Sequence, residues 1–199
     1  MSNIHKDYQG AKIGMWLFLF TEVLLFGGMF VLYAVYLSEY PKEFHAGGKE
    51  LDVFIGGLNT VVLLISSYFV ALAITFIQRG QQIKAIRFTV LTVLMAFVFL
   101  INKIIEWSAK FSHGIYPDSP HLQELSNGEN IFFGLYFLMT GLHGLHVIIG
   151  AAVMIYIIRL MKKARVNQDD FVMLENAGLY WHLVDLIWIF LFPLFYLVL

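Results

Sequence analysis

Five stretches of this sequence are long and apolar enough to cross a lipid bilayer, and that property leaves few folds open. A crossing helix needs about 20 mostly apolar residues; residues 13–37, 53–77, 88–105, 131–158 and 177–199 reach or approach that length. The third run is the shortest; its apolar character begins as early as Ile83, and the helix is placed at about 86–105. Backbone polar groups inside lipid must be satisfied within the chain, so each run is read as a helix. The expectation is an all-α membrane protein, a five-helix bundle forming one domain over residues 1–199.

Composition supports the same solvent. Of 199 residues, 59% are hydrophobic and only 14% charged, against about a quarter charged in soluble domains. A net charge of −1 gives no basic excess for nucleic acid. The chain has no cysteine, which removes disulfides, thiolate metal sites and thiol catalysis together. The polar start, residues 1–11, lacks the charged-then-apolar pattern of a cleaved signal. No internal repeat of the kind that builds paired-repeat transporters is evident.

Lysine and arginine placement sets the expected orientation. Lys6, Lys12, Arg79, Lys84, Arg87, Arg159, Lys162, Lys163 and Arg165 fall on one side, and Lys42, Lys49, Lys103 and Lys110 on the other. The N-terminus is therefore expected inside and the C-terminus outside. Pro117 and Pro120 mark turns in the longest loop, where His113 and His121 are read as solvated.

The apolar runs carry few ionisable groups: Glu22, His143, His146, His182 and Asp185, all expected to face inward. Glu22 lies ten residues past Lys12, roughly 15 Å into the membrane at the helical rise. A carboxyl there costs on the order of 3 kcal/mol, so it needs a proton or a partner. His143 and His146 are three apart, as are His182 and Asp185, which puts each pair on one helix face. Gly141 and Gly144 beside the histidines, and Gly27 and Gly28 on the first helix, suit close helix approach. Trp107 is read as an interfacial belt residue.

Four chemistries compete for these groups. The three membrane histidines, two of them one turn apart, could hold one metal ion at most, with Glu22 or Asp185 as further ligands, and a haem–copper oxygen site needs still more imidazoles. Buried carboxyl and imidazole groups also serve proton relays. The histidines with Trp16 and Arg159 could hold a phospholipid head group while aromatic side chains line the tails. Hydrogen-bonded bracing between helices accounts for any one of them alone, and Glu22 is expected to bond His143 or His146.

The order and spacing of the motifs resemble those of the cytochrome c oxidase subunit III family, in its short five-helix bacterial form. The residues that carry the resemblance are Met15 and Trp16 leading to Glu22, Val23 and Leu24; Leu58, Asn59 and Thr60; Glu106; residues 140–147 with Gly150; Glu175; and residues 180–185 with Trp188. The resemblance implies a multi-pass subunit of the bacterial cytoplasmic membrane with no catalytic centre and no metal of its own. Haem and copper would lie in the partner subunits I and II. The chain would pack beside the catalytic subunit, hold phospholipid in a cleft and support proton uptake. It matches Glu22 to an intramembrane glutamate near bound lipid, His143 and His146 to the histidine pair facing it, and His182 and Asp185 to the pair on the last helix. Longer relatives add two N-terminal helices as a second cleft wall, so another subunit would close the cleft here or leave it more open. A quinol-oxidase subunit III and a nitric-oxide-reductase-associated homologue share these motifs. An autonomous proton-linked carrier is the alternative from a different class.

Overall fold

The computed structural model describes residues 7–116, 119, 122 and 126–198. Lys6, Pro117, Asp118, Pro120, His121 and Glu124 lie outside the described residues. Among the described residues six helices have both ends defined: α1 Tyr8–Glu39, α2 Pro41–Lys49, α3 Val53–Gln78, α4 Gln82–Ser112, α5 Asn127–Lys162 and α6 Val172–Tyr196. All but α2 have the length and hydropathy of a membrane span, and each apolar run supplies most of one of them. α1, α4 and α5 outrun their apolar stretches at both ends, because polar residues there reach water without breaking the backbone ladder, whereas α6 starts before its run and closes at Tyr196, short of the expected 199.

Local chemistry fixes several ends. Asp7 accepts from the Gly10 amide, Asp52 from the Phe54 and Ile55 amides, and Ser126 with Glu129 forms a reciprocal capping box at α5. Three other ends share one design. The amides of Gln81, Ile115 and Arg165 reach back five residues to the carbonyls of Phe76, Lys110 and Leu160, with a left-handed residue just before each. That residue is Gly80, Gly114 and, unusually, Ala164 at φ 54°.

Helices α3, α4, α5 and α6 form a closed ring, each touching its two neighbours. Hydrogen bonds cross between them: Asn102 to Asn59, the Trp188 indole to Thr60, the Trp181 indole to Ser66, and the Tyr180 hydroxyl to the His146 carbonyl. Between α5 and α6 the close approach falls at Gly150, where a Cβ would lie 2.8 Å from the Trp181 ring. It does not fall at Gly144, Gly27 or Gly28, whose missing Cβ atoms would meet nothing within 4 Å of this chain.

α1 stands outside the ring in the groove between α5 and α6, and it touches neither α3 nor α4. Its buried residues are Leu19, Phe26 and Tyr33, seven apart, with Met15, Glu22, Met29 and Tyr36 half-buried between them. The alternating spacing of four and three is a narrow heptad seam, flanked by the half-buried Gly27, Phe30 and Leu37. α2 lies across the end where α1 finishes. Its Phe44 packs edge-on to Tyr33 and Phe132, with ring centroids 5.2 and 5.3 Å apart, and Tyr33 does the same with Phe195.

The two ends of the bundle are distinct. Lys12 pairs with Glu175 at 3.0 Å, and Gln82 donates to the Met161 carbonyl. These bonds gather the start of α1, the 79–81 turn and the 163–171 loop at one end. α2, the close of α4 and the close of α6 lie at the other.

Candidate functional site

Glu22 is placed by the α1 seam and His146 by the adjoining face of α5. Glu22 Oε2 lies 2.9 Å from His146 Nε2. His146 Nδ1 lies 2.7 Å from the Leu142 carbonyl. A carbonyl only accepts, so Nδ1 carries a hydrogen and the ring tautomer is fixed. The Nε2–Oε2 contact then holds one proton, on either partner, and the pair is neutral as a unit. Phe26 packs edge-on to the imidazole at 5.3 Å, and the Tyr180 ring lies on its other side at 6.4 Å.

His143 is fully buried and turned away from Glu22. It lies between Phe99 and Trp188, with ring centroids at 5.4 and 5.2 Å, and neither ring nitrogen has a hydrogen-bond partner. His182 bonds the Ser67 hydroxyl on α3 through Nδ1. Asp185, 4% exposed, faces the same α3 neighbourhood, without a hydrogen bond of full geometry to either carboxyl oxygen. The five ionisable residues therefore occupy three separate places. Among the described residues no three His, Asp or Glu side chains converge as a metal site. Trp16 is 61% exposed and projects away from the bundle, and Arg159 is exposed near the end of α5.

A second polar cluster lies where sequence reasoning placed an outer cation. Lys103 and Glu106, on α4, are 6% and 4% exposed. The Lys103 ammonium donates to Glu106 Oε2 at 3.0 Å and to the Tyr136 and Tyr196 hydroxyls at 3.1 and 3.0 Å. Both hydroxyls donate to Glu106 Oε1, at 2.7 and 2.6 Å. The ammonium also lies 4.9 Å from the centre of the Tyr136 ring. All three N–H directions are used and the charges cancel, which is how an ion pair becomes tolerable in the interior. The sequence signal was the i,i+3 Lys–Glu pair; its closeness to Trp107 and to the end of the run disguised it. Lys103 therefore does not count among the outer surface cations.

Two apolar grooves follow α1. On one side, about 450 Å³ is bounded by Tyr8, Tyr156 and Arg165 at the end of the span. It continues through Met173 and Asn176 into about 300 Å³ lined by Met15, Phe18, Ile149 and Val153. On the other side, between α1 and α6, about 600 Å³ near Tyr33 joins about 200 Å³ near Gly27 through Phe30 and Phe190.

Comparison with known proteins adds the family. The family model for cytochrome c oxidase subunit III matches residues 3–198. Cytochrome c oxidase subunit 3 of Thermostichus vulcanus is 29% identical over 194 residues, covering 97% of this chain and 89% of the relative. The probable quinol oxidase subunit 3 of Staphylococcus haemolyticus is 29% identical over 200 residues, covering 99% and 92%. Cytochrome c oxidase subunit 3 of Squalus acanthias is 32% identical over 197 residues, covering 94% and 69%. With five membrane-length helices and a family match over nearly its whole length, the chain belongs to the cytochrome c oxidase subunit III family.

Proposed function

We propose that the chain is the non-catalytic third subunit of a haem–copper terminal oxidase in a bacterial cytoplasmic membrane, with its N-terminus inside, and that it holds phospholipid against the catalytic assembly. Electron and oxygen chemistry then belongs to subunits I and II, and this chain stabilises subunit I and supports its proton uptake. The observation that carries the lipid reading is the continuous groove from Arg165 to Phe18. Its mouth offers the Arg165 guanidinium, the Tyr8 and Tyr156 side chains and the Asp170 carboxylate at the membrane boundary, and its body is apolar. That is the order of a phosphate head group and an acyl chain. Glu22 and His146 close the polar interior beside it as a neutral pair, while Trp16 and Arg159 supply an exposed belt ring and a further cation near the same end.

The test is lipid analysis of the purified oxidase carrying Arg165→Ala or the groove-filling Val153→Trp. Each is expected to lose bound phospholipid and to shorten the turnover lifetime while leaving the initial rate intact. Full lipid content and lifetime in both variants would remove the proposal.

A further inference from the structure

α1 is attached unlike any other span. Among the described residues, polar contacts at three depths supplement its narrow seam: Lys12 with Glu175 and the Asn176 amide to the Ala11 carbonyl near one end, Glu22 with His146 in the middle, and the Tyr33 hydroxyl to the Leu194 carbonyl near the other. Grooves on both sides separate it from the ring elsewhere. We propose that α1 is a releasable wall whose seating is latched by the single proton that Glu22 and His146 share.

The geometry makes the latch sensitive in both directions. His146 Nδ1 stays committed to the Leu142 carbonyl. If the shared proton leaves, the Nε2 lone pair faces a carboxylate and the contact becomes repulsive. If a second proton arrives, an imidazolium stands beside a neutral acid and the seam encloses net positive charge. Moving α1 outward relieves either state by parting the two groups and letting water in along the grooves beside the helix. The titratable groups around the pair do not replace the missing charge. From α5, His143 lies between Phe99 and Trp188. From α6, the Tyr180 hydroxyl donates to the His146 carbonyl, His182 is bonded to Ser67, and Asp185 faces α3. Along α1, Lys12 is paired with Glu175 at the end of the span.

The absence of cysteine allows a clean distance measurement. Val31→Cys on α1 and Ile101→Cys on α4 are both exposed and lie on helices that do not touch. With spin labels at these sites, the full chain in lipid nanodiscs is measured by pulsed electron resonance from about pH 5 to about pH 10. The expected result is one distance in the middle of the range and a second, longer one at both extremes. Glu22→Gln should abolish the alkaline component and keep the acid one, because the amide donates to Nε2 without titrating. Glu22→Leu with His146→Leu should give one distance throughout. A single unchanged distance in the parent chain, or equal shifts in Glu22→Gln at both extremes, overturns the latch. Should the double variant fail to insert, the parent and Glu22→Gln still decide the question.

Discussion

Lys103 is a charge in a place that hydropathy alone forbids, and its neighbours explain why it stays. Glu106 supplies the countercharge, and two tyrosine hydroxyls fill the remaining donor and acceptor directions. Removing one member leaves the others buried and unsatisfied, so Lys103→Met is expected to destabilise the bundle by about 3–5 kcal/mol. Lys103→Met with Glu106→Leu should recover much of that loss, and thermal unfolding of the variants in nanodiscs is the check. Glycine gives a second prediction. A methyl at position 150 would sit 2.8 Å from Trp181 ring atoms, so Gly150→Ala should cost about 1–3 kcal/mol through overpacking, whereas Gly144→Ala should be nearly silent in the isolated chain. Both glycines stood in the same apolar run of the sequence. Which one meets a neighbour depends on which helix faces it, and spacing along one helix cannot supply that.

Among the elements, α1 shows what sequence patterning conveys and where it stops. Its length and apolar character were legible, and so was Glu22 as the group needing a partner. The heptad seam was not, because leucine, phenylalanine and valine also fill the lipid-facing positions and no contrast in polarity marks the buried stripe. Phe26 is buried and Phe20 is 60% exposed, although both are phenylalanines in one helix. Phe26→Ala should therefore loosen α1, seen as faster amide exchange along the helix, and Phe20→Ala should not. α2 escaped notice because nine residues with two glycines carry no span signal; Phe44 gains its seat only from Tyr33 and Phe132 on other helices. The helix ends were partly readable, since Gly80 and Gly114 are natural left-handed terminators. Ala164 does the same job against its own preference. A left-handed alanine costs about 1 kcal/mol, so Ala164→Gly should be neutral or stabilising by a few tenths of a kcal/mol in the same unfolding assay.

For the molecule as a whole, the five spans and their alternation followed from hydropathy, while the arrangement of four helices in a ring with one outside did not. Every span reads as apolar, and only interhelical groups such as Asn59–Asn102 and Trp188–Thr60 decide who neighbours whom. Expected sidedness rests on the cations of the 79–87 and 159–165 segments, which the fold gathers at one end through Gln82 and Met161. Cysteines placed at Gln81 and Asn167 should react with a membrane-impermeant maleimide only from the cytoplasmic face, and one at His45 only from the opposite face. Reversal of that pattern would turn the subunit over. The placing of α1 also bears on how the protein is made. A ribosome delivers α1 well before α5 and α6, yet those two form the surface that receives it. Until α5 emerges, Glu22 must wait in the bilayer without His146, so seating α1 means bringing an early segment back to a late one.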